Sequence, residues 1–191
     1  GQTVENTYED TLNRVTEKDR RGTLKRTQMD PLGRVVSVTR ALGAPDEAIL
    51  ERNTYDGVGN KESQADAEGR VTRFVYDAAN RLASRTDGFG TDDAALTTFV
   101  HDKVGNTLEE RDARATALGE PWSVKRTYDE LNRLDTETDG ENNLTDYGYD
   151  PEGNRTSVQT PKGPTTNTTY DELGKPLDIT QPPPKPAEES P

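Results

Sequence analysis

One short phrase returns along the whole chain and limits what it can fold into. Aspartate followed three residues later by glycine or asparagine recurs from Asp10 to Asp171, mostly in steps of 9 to 11 residues. Thirteen of the fifteen positions in this register hold aspartate, and the exceptions are Arg40 and Thr160. Fourteen hold glycine or asparagine three residues later, with Ala115 as the exception. Such an aspartate accepts hydrogen bonds from backbone N–H groups, and glycine or asparagine tolerates a positive φ, so the phrase predicts regularly spaced tight turns.

The segments between the turns have the pattern of short strands. They are rich in Thr, Val, Tyr and Leu, as in RVTRFVY at 70–76, and these residues suit a pleated, half-exposed surface. Thr72, Phe74 and Tyr76 share one face of this strand. Neither face is strongly apolar, so we expect a sheet one layer thick, held by ladder hydrogen bonds and cross-strand pairs. Helical periodicity is nearly absent, and only short insertions such as APDEAILER at 44–52 are expected to form a turn of helix.

From Asp56 onward every second turn follows a tyrosine or, once, a histidine, which gives a repeat of about 21 residues with two strands and two turns. We interpret the tyrosine, the aspartate and the glycine or asparagine of these turns as structural repeat positions. They are Tyr55, Asp56, Gly59, Tyr76, Asp77, Asn80, Tyr128, Asp129, Asn132, Tyr149, Asp150, Gly153, Tyr170, Asp171 and Gly174. His101, the single histidine, takes the tyrosine position of its repeat. Without a second histidine or a cysteine it lacks the partners of a catalytic dyad or a zinc site, so a structural role is favoured.

The composition argues against an ordinary globular protein. Leu, Ile, Val and Phe supply 31 of 191 residues, about 16%, and the net charge is −12, values typical of disordered chains. The sustained turn register outweighs that interpretation. The absence of cysteine excludes disulfides and thiolate zinc sites, and the acidic balance disfavours nucleic acid as a partner. No window approaches the roughly 18 apolar residues of a membrane helix, and GQTVENTYED has no signal-peptide pattern.

Three features invite a binding role. The recurring aspartates suggest calcium, but each turn offers one carboxylate where calcium needs several convergent oxygens, so turn formation is favoured and no metal or cofactor is predicted. A tyrosine stripe can present rings to sugars or peptides, although packing between units is the commoner role. Trp122, in the insertion ATALGEPWSVKR, either contacts a ligand or covers the sheet, and the sequence leaves both open.

The segment YDGVGNKESQADAEGRVTRFVYDAANRLASRTD strongly resembles the YD repeats of the RHS family, and the resemblance extends over about residues 8–178. Family members include bacterial Rhs polymorphic toxins, the C component of insecticidal toxin complexes and the animal teneurins. The resemblance implies an all-β fold in which tandem β-hairpins form a curved, spiralling antiparallel sheet, a segment of a β-shell. It also implies a bacterial protein that is secreted or on the cell surface, whose shell encloses a toxin domain.

This sequence lacks the family's C-terminal core motif, Asp-Pro-x-Gly-Leu, and a recognisable effector domain, so neither cleavage nor toxicity is assigned to any residue. We expect a repeat sheet over 1–178 and a Pro-rich linker or tail over 179–191. The expected role is structural and non-catalytic, with further YD repeats or an enclosed toxin-like polypeptide as partners. The alternative is an adhesion module that binds carbohydrate or protein.

Overall fold

The protein is described by a computed structural model, which covers residues 5–181. The chain divides into two compact units, one ending at Thr97 and the other beginning at Thr98. The predicted tail lies largely outside the described residues. The last strand ends at Thr180, two residues after the expected boundary at 178.

The first unit is an antiparallel meander in which each strand pairs with the next along the chain. Its strands are β1 (Glu5–Glu9), β2 (Arg14–Lys18), β3 (Leu24–Met29), β4 (Val35–Arg40), β5 (Ala48–Tyr55), β6 (Lys61–Asp66), β7 (Val71–Tyr76) and β8 (Leu82–Asp87). A short 3-10 helix, Asp10–Leu12, closes the first hairpin.

The second unit repeats this architecture, beginning within β9. Its elements are β9 (Ala95–His101), β10 (Thr107–Arg111), α1 (Ala113–Leu118), β11 (Val124–Tyr128), β12 (Leu134–Asp139), β13 (Leu144–Tyr149), β14 (Arg155–Gln159), β15 (Thr166–Tyr170) and β16 (Pro176–Thr180). The expected all-β class of tandem antiparallel hairpins is confirmed. The part of the chain that the structure covers contains no helix with the length and apolarity needed to cross a bilayer.

The sheet has almost no core of its own. Among residues 5–181, only Ala41, Asn53, Thr97 and Ala115 are buried, and no large side chain is fully enclosed. Strand β7 shows the expected alternation, because Thr72, Phe74 and Tyr76 are half-buried while Arg73 and Val75 are exposed. A layer of this kind depends on ladder hydrogen bonds and cross-strand contacts instead of apolar burial.

The position of the helix corrects the expectation for APDEAILER. Residues 48–52 of that segment belong to β5, where Ala48 and Ile49 pair with β4. The turn of helix forms in the later insertion, at Ala113–Leu118. There the side chain of Asp112 accepts a hydrogen bond from the N–H of Ala115, and Gly119 ends the helix in the left-handed conformation at φ 76°. Helix-forming alanines between two good caps favour helix, whereas apolar AIL beside an open strand favours pairing.

Candidate functional site

Two edges of the meander differ in their turns. Because consecutive strands are antiparallel, successive turns fall at opposite edges in each unit. The turns that begin at Asp10, Asp30, Asp56 and Asp77 share one edge of the first unit. Those that begin at Asp102, Asp129, Asp150 and Asp171 share one edge of the second. In each unit we call the edge that carries these turns the tyrosine-turn edge, and the other edge the opposite edge.

The turn at Asp77 shows what each residue of the phrase does. One carboxylate oxygen, Oδ1, accepts the backbone N–H groups of Ala79 at 2.8 Å and Arg81 at 3.0 Å. The other, Oδ2, accepts the Nε–H of Arg81 at 2.8 Å. The backbone N–H of Asn80 donates to the carbonyl of Asp77 at 3.0 Å, and Asn80 has a φ of 59°. This is a type I turn followed by a left-handed residue, the geometry of a hairpin with a bulge. The pairing of Tyr76 with Leu82 shows the corresponding register shift.

Hydrogen bonding makes the turn carboxylates stronger acids. The side-chain and backbone hydrogen bonds from Arg81 lower the pKa of Asp77 to about 2. Hydrogen bonds from Arg133 hold the pKa of Asp129 below its ordinary value, and those from Asn154 do the same for Asp150. The aspartates are ionised acceptors held by their own turns, and their oxygens point into the loop that they organise.

The other predicted repeat aspartates occupy the same geometry. Asp56, Asp129 and Asp171 each accept backbone N–H groups two and four residues on. For Asp150 the bond to the N–H of Asn154 is present at 2.7 Å. The closing residues Gly59, Asn132, Gly153 and Gly174 all have a positive φ.

The tyrosines connect neighbouring hairpins. Each of four hydroxyls donates to the backbone carbonyl five residues after the aspartate of the preceding tyrosine turn, at 2.9 to 3.1 Å. The pairs are Tyr55 with Val35, Tyr128 with Thr107, Tyr149 with Leu134 and Tyr170 with Arg155. Partial burial raises the pKa of Tyr76, and the nearby Asp56 carboxylate adds to the effect. These contacts favour a role for the tyrosines in packing neighbouring hairpins together over a role in which the rings bind a ligand.

A second ladder runs through the fifth residue of each tyrosine turn, which the sequence analysis overlooked. In the turns from Asp30 to Asp150 this residue alternates between arginine and asparagine: Arg34, Asn60, Arg81, Asn106, Arg133 and Asn154; the first and last turns of the edge have Arg14 and Lys175 there. The guanidinium carbons of Arg34 and Arg133 lie 4.6 and 4.5 Å from the ring centroids of Tyr55 and Tyr149. The signal was visible as a two-unit period at one fixed position after each aspartate.

The asparagines of this ladder bond to the next tyrosine turn in a different way. The side-chain amide of Asn60 donates to Asn80 Oδ1, and that of Asn106 donates to Asn132 Oδ1, both at 3.1 Å. Arg34 and Arg133 thus stack on the tyrosine that precedes the next turn, whereas Asn60 and Asn106 bond to the asparagine that closes it.

Trp122 lies apart from these ladders, in the loop between α1 and β11 on the opposite edge of the second unit. Its ring is half-buried, and Lys125 Nζ lies 4.8 Å from the ring centroid. The indole lines a cavity of about 450 Å³ together with Asp112, Arg114 and Glu141. Arg114 and Glu141 form an exposed ion pair at 3.8 Å across it. The loop tryptophan thus both covers part of the sheet and borders an open cleft.

His101 ends β9 at the tyrosine position of its repeat, where its Nδ1 lies 3.2 Å from Thr107 Oγ1. Within residues 5–181 there is no group of three or more His, Asp or Glu side chains placed to hold a metal ion. The turn aspartates are spread along the edge, one per turn, and the structure does not bring them together.

Two segments, residues 55–92 and 128–166, match the family model described as RHS Repeat. These two segments are RHS repeats. This confirms the resemblance drawn from the recurring YD phrase. The matched segments carry four of the five predicted tyrosine turns, those at Asp56, Asp77, Asp129 and Asp150.

Solved toxin structures share the fold of this chain. One is the complex of TcdB2, TccC3 and Cdc42, at 19% identity, a TM-score of 0.70 and 88% coverage of this chain. A second is the Photorhabdus luminescens Tc holotoxin pore with a mutant TccC3, with the same identity, TM-score and coverage. A third is TcdB2-TccC3 without its hypervariable C-terminal region, at 21% identity, a TM-score of 0.71 and 90% coverage. The chain spans 10% of the length of each matched chain. No curated protein matches it.

Proposed function

We propose that this chain is a non-catalytic wall segment of a shell that encloses or displays another polypeptide, such as a toxin domain. The observation that carries the proposal is that the repeated polar side chains form hydrogen bonds within the sheet itself. The turn aspartates accept hydrogen bonds inside their own loops, and four of the repeat tyrosines donate to neighbouring hairpins. Groups used in this way stabilise a sheet and are poorly placed to act on a substrate.

The thinness of the sheet supports the same role. A layer with four buried residues among those described gains little from its own core, which suits a wall built from many similar units. The fold shared with TccC3-containing toxin structures, at a tenth of their chain length, fits one stretch of such a wall. Secretion or surface display by a bacterium, and a toxin-like cargo, belong to this proposal.

Electron cryomicroscopy of the native gene product, together with protease protection, tests the proposal. The expected result is a hollow particle with residues 5–181 in its wall and protein density inside. The enclosed polypeptide should resist trypsin until denaturant opens the particle. An open, solid or fibrous assembly with no protected cargo would refute it.

A second candidate function, recognition of carbohydrate or protein, rests on the cleft beside Trp122. Its volume of about 450 Å³ falls in the range of small-ligand sites, and an indole face suits stacking against a sugar ring. A glycan array tests this directly, with Trp122→Ala as the variant and Phe89→Ala, in another opposite-edge loop, as the control. Binding that Trp122→Ala removes and Phe89→Ala retains would support recognition. An array without binding would leave the wall function alone.

A further inference from the structure

Side chains of the chain itself occupy the space between several neighbouring tyrosine turns. In each such place the fifth residue of one turn contacts the next turn or the tyrosine before it. Arg133 stacks on the ring of Tyr149, 4.5 Å from the centroid, and donates to the carbonyl of Asp150 at 3.0 Å. Asn60 instead donates at 3.1 Å to Asn80, which closes the following turn. Both arrangements place a polar side chain between two turns.

Neither arrangement is present between the turns that begin at Asp150 and Asp171. The fifth residue of the first turn is Asn154, which has no guanidinium to stack on Tyr170. Its amide donates at 2.9 Å to Asp150, within its own turn. The next turn closes with Gly174, which has no side chain to accept from that amide. We call the space between these two turns the terminal groove.

The terminal groove is wide where both of these side chains are missing. It has a volume of about 610 Å³, and Asn154, Tyr170 and Gly174 are among the residues that line it. The groove that Asn80 lines, beside Tyr76, has a volume of about 220 Å³. A Cβ added at Gly174 would lie 3.2 Å from Asn154 Oδ1, so an asparagine at that position would narrow the space. The terminal groove is therefore open to a ligand.

Carboxylates surround this groove, and no lysine or arginine lines it. The four acidic residues are Asp150, Glu152, Asp171 and Glu172. Glu152 and Glu172 form no ion pair with any residue between 5 and 181. The negative charge of the groove is thus uncompensated by the part of the chain that the structure describes, and a cationic ligand is favoured.

The ring and the carbonyl beside it indicate which cation fits. The hydroxyl of Tyr170 donates to the carbonyl of Arg155 at 2.9 Å, just as that of Tyr149 bonds to the preceding hairpin. Of these two rings, only that of Tyr149 has a guanidinium over it within residues 5–181, and it belongs to Arg133. The carbonyl of Asp171 accepts one N–H within its turn, which leaves a second lone pair for another donor. The terminal groove therefore offers the two contacts that Arg133 makes one repeat earlier.

We propose that the terminal groove binds the guanidinium group of an arginine side chain from a partner polypeptide. The guanidinium stacks on Tyr170, donates to the carbonyl of Asp171 and lies near Glu152 and Glu172. Arginine fits better than lysine, because its planar head stacks on a ring and donates in several directions, whereas an ammonium is compact and strongly hydrated. This goes beyond the wall function, since it assigns a ligand class to one groove whatever the sheet surrounds.

The rim of the groove indicates that the arginine belongs to a polypeptide. Leu173 lines the groove and is 92% exposed. An apolar side chain in that position contacts the residues that flank the arginine, and it adds nothing to the binding of a free cation. A short peptide with a leucine beside the arginine is therefore the appropriate probe.

Titration of the isotope-labelled full chain with acetyl-Gly-Leu-Arg-Gly-amide tests the proposal, with the amide shifts of Leu173 and Gly174 as the NMR readout. One cation–π contact and one charged hydrogen bond predict a dissociation constant of about 1–10 mM. The same peptide with citrulline, which keeps the shape but has no charge, should bind about tenfold more weakly or worse. The lysine peptide and acetylarginine amide should each bind about threefold more weakly.

Two variants refill the groove from within the chain. Gly174→Asn copies the turns that close with Asn80 and Asn132, whose φ values are 59° and 60°, so it should fold and weaken peptide binding about fivefold. Asn154→Arg supplies an internal guanidinium and should weaken it about tenfold or more. Gly153→Asn is the matched control, because a Cβ there meets nothing within 4 Å and the residue does not line the groove. It should leave binding within about twofold of wild type.

A charge variant gives a test that does not depend on turn geometry. Glu152→Gln together with Glu172→Gln, both exposed, should weaken binding of the arginine peptide about threefold. Glu130→Gln, in the turn at Asp129, should leave it unchanged. Circular dichroism of each variant establishes that the sheet is retained. The proposal is overturned if wild type shows no saturable shift up to about 30 mM peptide, or if the citrulline peptide binds equally well. It is also overturned if Gly153→Asn weakens binding as much as Gly174→Asn does.

Discussion

The hydroxyl of Tyr149 offers the sharpest test of how successive hairpins are held together. It donates to the carbonyl of Leu134 at 2.9 Å, while the ring lies 4.5 Å from the guanidinium carbon of Arg133. Tyr149→Phe removes the hydrogen bond and keeps the ring. We expect a loss of about 0.5–1.5 kcal/mol in the free energy of unfolding, the net value of one such bond. Tyr149→Leu also removes the cation–π contact, worth about 0.5–1 kcal/mol more, and part of the ring's burial.

Urea unfolding followed by circular dichroism measures both changes, and thermal unfolding should show a shift of about 2–4 °C per kcal/mol. The control is Tyr147→Phe in the same strand. Tyr147 lies two residues away on the same face, and within the described part of the chain its hydroxyl has no hydrogen-bond partner. That variant should change the free energy of unfolding by less than about 0.5 kcal/mol. If Tyr149→Phe and Tyr147→Phe prove equally mild, the tyrosine bond does not couple the hairpins and the argument fails.

Three further variants and conditions test the turns themselves. Asn132 has a φ of 60°, so Asn132→Val should cost about 1–2 kcal/mol in urea unfolding while Asn132→Gly stays near neutral; equal losses would remove the conformational argument. Because the folded pKa of Asp77, about 2, lies below the ordinary value of 3.8, its contribution is complete above about pH 5 and is lost as pH falls through 2. Urea midpoints measured from pH 6 to pH 2 should therefore fall at the acid end, less steeply in Asp77→Asn, and identical profiles would contradict this. Arg133→Lys keeps the charge but loses the bond to the carbonyl of Asp150 and the planar stack, at a cost of about 1 kcal/mol. Arg70→Lys, in an exposed pair on the opposite edge, should lower the free energy of unfolding by less than about 0.5 kcal/mol. If Arg70→Lys lowers it more than Arg133→Lys does, the difference between the edges is refuted.

The turn positions could be predicted from sequence because their chemistry is local. Asp77 and Asn80 lie three residues apart, and the hydrogen bonds that fix their roles lie within five residues. A local arrangement of that kind leaves its full signature in one short phrase, and repetition removes the ambiguity of any single copy. Strand boundaries followed from the turns, because a meander leaves no other path for the chain between them.

The alternation of Arg and Asn was missed because its reason is not local. Asn106 contacts Asn132, which lies 26 residues away, and Arg133 stacks on Tyr149 in the following hairpin. Neither contact is visible until the hairpins are placed side by side. The helix was misplaced for a related reason. Ala48 alone favours helix, and the pairing of Ala48 and Ile49 with β4 decides their conformation.

In a sheet without a core, no shared apolar packing stabilises all the strands together. Here each turn fixes its own loop through an aspartate, and a tyrosine, an arginine or an asparagine then connects that loop to the next one along the edge. Stability in such an array is close to a sum of unit terms and neighbour terms, so the array lengthens without a new core. Neither face of the sheet is covered by a core, and this suits the wall function proposed above.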